Sequence, residues 1–176
     1  MSLTAGGSVG FLRQVNEALV HLDPQAEVIN GRVYLDASVE VRHHTLGHSL
    51  LRQLIQSPYQ THIVEGRVSN CDATTKNGGA TGSRVIWNPR QIVRHASHCM
   101  CIGLGHELCH ALQLTQGLVS SSDFYPARGR RVGFSIRVET LAITGTYGSQ
   151  SWRRNAVTEN NLRSEHIPRN PPRPTY

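Results

Sequence analysis

The chain has 176 residues, of which 38% are hydrophobic, and this length suits one domain with a substantial core rather than two. It contains no apolar run of about eighteen residues, so the sequence offers no membrane-spanning helix. The net charge of +6 favours acidic partners. However, the late arginines are not interleaved with aromatic residues, so no base-stacking surface for nucleic acid is expected.

The four cysteines, Cys71, Cys99, Cys101 and Cys109, are too few for a disulfide framework in a chain of this size. We expect them to be free, buried thiols. Cys99 and Cys101 form C-x-C, and no second pair lies at zinc-finger spacing, so a structural zinc site built from cysteines is not expected. The first ten residues also lack the pattern of a secretory signal peptide.

The first half of the chain shows two helical periodicities and one hairpin pattern. Apolar residues recur at three- and four-residue steps in Val9–Leu22 and again in Thr45–Gln56, which predicts two amphipathic helices. Asn30-Gly31 divides two apolar runs within residues 27–36, as expected for a hairpin with a type I′ turn. Residues 61–68 are predicted to form a strand.

The second half alternates breakers with short apolar segments. We predict a loop over residues 70–83, a strand over 84–87, a helix over 100–116, a loop over 117–129, and a strand that becomes helical over 132–145. Thr158 has the position of a helix N-cap, and the tail at 167–176 is rich in proline. This order predicts an α+β fold with a small mixed sheet packed on a central helix.

The central helix carries His106-Glu107-Leu108-Cys109-His110, which has the pattern H-E-x-x-H. Positions four apart share one helix face, so both imidazoles can bind one zinc ion at about 2.0–2.1 Å. Glu107 is offset around the helix, where it can accept a proton from a zinc-activated water without binding the metal. The motif therefore predicts zinc-dependent hydrolysis with Glu107 as the catalytic base.

A catalytic zinc usually has a third protein ligand. A third histidine six residues after His110 is absent, because Gln116 occupies that position. Glu139 lies at a predicted strand-to-helix junction and is the favoured third ligand, with Asp123 as the alternative.

Three segments resemble the NleD-like type III effector zinc metalloproteases of Gram-negative pathogens. They are residues 77–89, residues 105–111, and residues 158–165, the last of which matches the E-N-x-L-R signature of that family. The resemblance implies a zincin-like endopeptidase that is injected into a host cell and cleaves a host protein, such as a signalling kinase. Where related proteins have two glutamates before a T-x-G turn, this chain has Val138-Glu139 and then Thr144-Gly145.

Further residues are candidates for substrate contacts. Val85, Ile86 and Trp87 precede the motif helix, and such a strand commonly forms the sheet edge that pairs with substrate backbone, although a core strand is the alternative. Arg163, Tyr147 and Tyr125 are candidates to stabilise the oxyanion. Arg163 could instead pair with Glu159 or Glu165 and hold the last helix.

The resulting expectation is a monomeric metalloprotease domain over residues 1–166, with a first part (1–60) of undefined role and a proline-rich tail at 167–176. It would bind Zn²⁺ and a host protein, without membrane or nucleic acid. The alternative is a basic module that binds a host protein or nucleic acid and uses zinc only structurally. A structural site would be closed by four protein ligands, and Glu107 would be dispensable.

Overall fold

The computed structural model describes residues 2–40, 45–75, 79–91, 99–118, 124–126, 132–134, 136–147, 150–151, 157–166 and 172. The helices are α1 (Val9–Leu22), α2 (Thr45–Gln56), α3 (Met100–Thr115), α4 (Ile136–Thr144) and α5 (Glu159–Glu165). The predicted α+β class is confirmed. In the described part of the chain, no helix is long and apolar enough to cross a membrane.

Six strands form one mixed sheet in the order β2-β3-β1-β4-β6-β5. They are β1 (Leu3–Gly6), β2 (Ala26–Ile29), β3 (Arg32–Leu35), β4 (Thr61–Glu65), β5 (Asn70–Ala73) and β6 (Ser83–Trp87). The strands β1, β4 and β6 run parallel, while β3 and β5 pair antiparallel on either side of them. Two small pairs complete the strands: β7 (Phe124–Pro126) with β8 (Val132–Phe134), and β9 (Thr146–Tyr147) with β10 (Gln150–Ser151).

The predicted hairpin is the pair of strands β2 and β3. Asn30 and Gly31 form its turn with φ of 49° and 74°, and positive φ at both positions is what a type I′ turn requires. A Cβ on Gly31 would lie 2.6 Å from the carbonyl oxygen of Ala5. Glycine is therefore needed here both for the turn and for its close approach to β1.

The helices α1 and α2 have the predicted bounds. Ser8 caps α1 by accepting a hydrogen bond from the backbone N–H of Phe11. The start of α2 is capped from far along the chain, because the carboxylate of Glu165 accepts hydrogen bonds from the backbone N–H groups of Leu46 and Gly47. The first and last thirds of the chain are thereby joined directly.

The helix α3 is buried along its whole length from Cys101 to Thr115. It contacts β5 and β6 of the sheet and also the helices α1, α2, α4 and α5. The first 60 residues supply three strands of the sheet and two of these contacting helices. That segment is therefore structurally continuous with the rest of the fold.

The structure corrects several expectations, one of which is that β7 lies in the segment predicted as the loop 117–129. The strand β1 was not predicted, β5 lies in the segment predicted as loop, and β4 ends earlier than expected. Cys99 and Cys101 form a disulfide, whereas Cys71 and Cys109 are free and buried as predicted. All but one residue of the proline-rich tail (167–176) falls outside the described residues.

Candidate metal site

Two imidazoles from α3 converge on one point. His106 and His110 are one helical turn apart, and their Nε2 atoms are 3.1 Å from each other. The rings meet edge to face with centroids 4.6 Å apart. His110 is fully buried and His106 is only 9% exposed, so the two nitrogens face each other in a protected position.

Glu139 on α4 completes the cluster. Its Oε2 lies 3.2 Å from Nε2 of His106, and its Oε1 lies 3.4 Å from Nε2 of His110. The ligand atoms of these three residues all lie within 4.8 Å of one another. The sequence analysis favoured this glutamate as third ligand, and the fold brings it to the two histidines. Asp123, the alternative, lies outside the described residues.

The donor set fits a zinc ion. Tetrahedral bonds of about 2.0–2.1 Å to nitrogen and oxygen separate neighbouring ligand atoms by roughly 3.3–3.4 Å. The two Nε2 atoms are 3.1 Å apart, close to that value, and each lies 3.2 or 3.4 Å from a different oxygen of Glu139. In the residues that the structure describes, no fourth side chain joins this cluster, and three protein ligands with one open position are typical of catalytic zinc.

Each histidine has a second polar neighbour, which lies at its Nδ1 atom. Nδ1 of His106 lies 2.8 Å from Oε2 of Glu159, and Nδ1 of His110 lies 3.1 Å from Oε1 of Gln113. A carboxylate or amide oxygen at Nδ1 favours the tautomer with the proton on that atom. Nε2 is then left with a lone pair directed at the cluster, as metal binding requires.

Arg163 pairs with Glu159, the carboxylate that lies beside His106. Its Nε donates to Oε1 of Glu159 over 2.7 Å, and both side chains are fully buried. The two oxygens of Glu159 therefore join an arginine on α5 to a histidine on α3. This pairing with Glu159 is one of the alternatives that the sequence analysis named for Arg163.

The approach of α5 to α3 depends on small and apolar residues. A Cβ at Gly105 would lie 2.7 Å from Cδ1 of Leu162, so a larger residue beside His106 would force the side chain of Leu162 to move. Thr158 caps α5 through a reciprocal hydrogen-bonded pair with Asn161, as the sequence predicted for the amide of Asn161. Glu159 follows this cap directly, at the end of the helix that favours a carboxylate.

The electrostatics of the cluster favour a bound cation. Burial lowers the pKa of His106, but the carboxylates of Glu139 and Glu159 raise it by more, so this pKa lies well above that of an ordinary histidine. Burial raises the pKa of Glu139, yet His110 and His106 lower it well below its usual range. Without a metal, the carboxylates thus hold a proton on the imidazole, and a divalent cation would take the place of that positive charge.

Glu107 differs from the three ligand residues. It is 8% exposed, and burial raises its pKa, an effect that the nearby His106 and His110 only partly offset. A glutamate with a raised pKa is suited to accept and return a proton near neutral pH.

The prediction that Val85, Ile86 and Trp87 form a sheet edge is wrong. They lie in β6, which is paired on one side with β4 and on the other with β5. Val85 and Trp87 are buried, so the alternative of a core strand is correct. Their backbone groups bond to neighbouring strands, because the unpredicted β5 covers the edge that β6 would otherwise present.

The strand β5 ends the sheet in the described part of the chain, and it contacts α3, the helix that carries His106, Glu107 and His110. Burial raises the pKa of the Cys71 thiol on this strand, and the negative charges of Glu107 and, more weakly, Glu139 raise it further. The strand β5 and the carboxylate of Glu107 are thus close enough to interact electrostatically.

Two other candidates cannot be placed. Tyr125 and Tyr147 belong to β7 and β9, but their side chains lie outside the described structure. The oxyanion role of Tyr125, Tyr147 and Arg163 stays a prediction.

Sequence reasoning did not identify Gln113 or Glu159 as partners of the histidines. The three-residue spacing of Gln113 from His110 was a usable signal, whereas nothing local indicates the contact of Glu159.

Comparisons of this chain with protein-family models, with curated proteins and with solved structures gave no match. What indicates a function for this chain is therefore its H-E-x-x-H motif together with the cluster of His106, His110 and Glu139.

Proposed function

We propose that the chain is a zinc-dependent endopeptidase with a zincin-like fold. The observation that supports this most strongly is the convergence of His106, His110 and Glu139, each of which offers a ligand atom within 4.8 Å of the other two, as a single zinc ion requires. Glu107 lies next to His106 on the same helix. A set of three ligands with an adjacent carboxylate supports hydrolysis better than a purely structural role, which uses four ligands.

The residues have separate roles in this reaction. His106, His110 and Glu139 hold the metal, which would supply a Lewis acid for water and for the peptide carbonyl. The carboxylate of Glu107 takes a proton from the attacking water and returns it to the nitrogen of the leaving amine. Glu159 and Gln113 orient the two imidazoles, and Arg163 positions Glu159.

The end strand β5 is the best candidate to bind the substrate backbone. An extended peptide can add to a sheet as a further strand and form main-chain hydrogen bonds with its edge. Support comes from the end position of β5 and from the electrostatic effect of Glu107 on Cys71. This role replaces the one first predicted for residues 85–87.

The biological setting that we propose follows from the resemblance of the motif segments to NleD-like effectors. In that setting the chain is a monomer that a type III system delivers into a host cell, where it cleaves a host protein such as a signalling kinase. The N-terminal 60 residues would then serve the fold, since they carry β1, β2 and β3 of the sheet.

The experiment compares new protein N-termini in host-cell lysate treated with wild type or with Glu107→Gln. Loss of the base should lower cleavage about 10²–10⁴-fold and leave zinc content and melting temperature near those of wild type. Glu65→Gln is a charge-matched control at the exposed end of β4 and should cleave normally. Equal sets of new N-termini for wild type and Glu107→Gln would refute the proposal and favour the binding module.

A further inference from the structure

A second group of potential metal ligands lies away from Glu139, where three helices meet. It consists of His21 in the last turn of α1, Cys99 immediately before α3, and His166 immediately after α5. One ligand atom from each residue lies within 4.8 Å of the other two. The rings of His21 and His166 have centroids 6.0 Å apart. His166 is 7% exposed, whereas His21 is exposed, so the group is open to solvent on one side.

The chemistry of this group points to a borderline-soft divalent cation. Thiolate and imidazole are both ligands that zinc accepts, and three such ligands leave one position for water. The Sγ of Cys99 already accepts a hydrogen bond of 3.1 Å from the backbone N–H of Cys101. This amide in the first turn of α3 favours a negatively charged sulfur over a neutral thiol.

The same sulfur has a competing partner, because Cys99 is bonded to Cys101 in the structure. A sulfur in a disulfide carries no thiolate charge and is a poor zinc ligand. We propose that His21, Cys99 and His166 form a second zinc site that is available only when the disulfide between Cys99 and Cys101 is reduced. The site is thus controlled by the redox state of one short segment at the start of α3.

The redox step is a two-electron reduction. A dithiol reductant gives two electrons and two protons to the Cys99–Cys101 disulfide and becomes a disulfide itself, which leaves two thiols on the protein. The Cys99 thiol then releases its proton to water as the metal–sulfur bond forms. A low-molecular-weight disulfide oxidant reverses this reduction by accepting the two electrons and two protons as it becomes two thiols, and the ion is released when Cys99 rejoins Cys101.

Metal binding here would join α1, α3 and α5 at one point. The helix α5 also carries Glu159 and Arg163, which support His106. A reducing environment would therefore strengthen the attachment of α5 to α3, and an oxidising one would leave that attachment to packing and to the buried ion pair.

Cobalt(II) tests the proposal, because a cobalt–thiolate bond produces a charge-transfer absorption that a site made of histidine and carboxylate does not. Metal-free protein is titrated with cobalt(II) before and after reduction with a water-soluble phosphine, which becomes the phosphine oxide as the disulfide opens. We expect the absorption in the reduced protein only. Since the His106 site has no sulfur ligand, this result does not depend on the proposed peptidase activity.

Three variants separate the contributions. Cys101→Ser, which cannot form the disulfide, should show the absorption with or without reductant, and Cys99→Ser should show it in neither state. His21→Ala changes an exposed side chain, so it should fold normally and bind cobalt at this site at least about tenfold more weakly. The proposal is overturned if reduced wild type lacks the absorption, if Cys99→Ser retains it, or if His21→Ala binds as tightly as wild type.

Discussion

Two arginine–glutamate pairs at four-residue spacing show how differently one local pattern is used in this protein. In α1, Nε of Arg13 lies 3.6 Å from Oε1 of Glu17, with side chains 81% and 57% exposed. In α5, Nε of Arg163 lies 2.7 Å from Oε1 of Glu159, and both side chains are fully buried. The first pair is screened by water and is worth little. The second lies where an unpaired charge is very costly.

The difference comes from what surrounds each pair. The exposed pair on α1 has solvent on its outer side, whereas the second oxygen of Glu159 lies 2.8 Å from Nδ1 of His106. The buried pair is therefore part of the support for the metal ligands. Helical spacing alone does not distinguish the two pairs, and the following predictions test the contrast from the metal outward.

The largest effect is expected at the ligands themselves. Oxidised wild type should contain about one zinc per chain, and His106→Ala or His110→Ala should lose it, since two ligands do not hold the ion tightly. Glu139→Gln should also weaken zinc binding, far more than Asp123→Asn, because a neutral amide is a poor ligand. Elemental analysis and chelator competition measure both effects. Full zinc in both histidine variants would exclude this site, and the reverse order of the acid variants would favour Asp123.

Removal of Arg163 should destabilise the fold. In Arg163→Ala the carboxylate of Glu159 stays buried with one charged partner fewer, at a cost of about 3–5 kcal/mol in the free energy of unfolding. Thermal or denaturant unfolding measures the loss. An unchanged melting temperature together with a hundredfold loss of turnover would instead assign Arg163 a direct role at the oxyanion.

Gln113→Leu should have a smaller effect that is confined to the metal. The leucine removes the oxygen that faces Nδ1 of His110 while it keeps most of the volume, so zinc affinity should fall about 10–100-fold. Chelator competition gives the affinity, and Gln116→Leu is the control, because Gln116 bonds to Gln53 near the surface. Equal affinities in the two variants would mean that Gln113 does not orient His110.

Arg13→Ala should have the smallest effect. Since the pair with Glu17 is exposed, its loss should change the free energy of unfolding by less than about 0.5 kcal/mol. The two arginine variants, measured under the same conditions, give the contrast directly. Similar losses in Arg13→Ala and Arg163→Ala would contradict the role that we assign to burial.

Local sequence patterns were sufficient to predict the elements whose ends are marked by capping or helix-breaking residues. The helices α1 and α2 and the hairpin turn at Asn30-Gly31 have caps or breakers at their ends, and they were predicted correctly. The strands β1 and β5 have only four residues each, and β5 lies among residues typical of loops. Their pairing with distant strands stabilises them, and that pairing leaves no periodic trace in so few residues.

The residues of the candidate site also fall into two groups, those that local sequence predicts and those that depend on contacts between distant elements. The spacing of His106 and His110 is local, so the helix places them together, and Glu139 could be reached by elimination among the acids that follow. The contact of Glu159 with His106 depends on how α5 crosses α3 beside Gly105. The internal position of β6 depends equally on β5, so the failure to predict one strand led directly to the wrong substrate edge.

The cap that Glu165 provides for α2 has a consequence for the order of folding. The N–H groups of Leu46 and Gly47 find this carboxylate only after the 118 or more residues that separate them from Glu165 have been synthesised. A nascent chain that ends before α5 lacks both this cap and the partner of His106 at residue 159. The cap of α2 and the support of His106 therefore both await the same helix, α5, so neither is complete before residue 165 has been added to the chain.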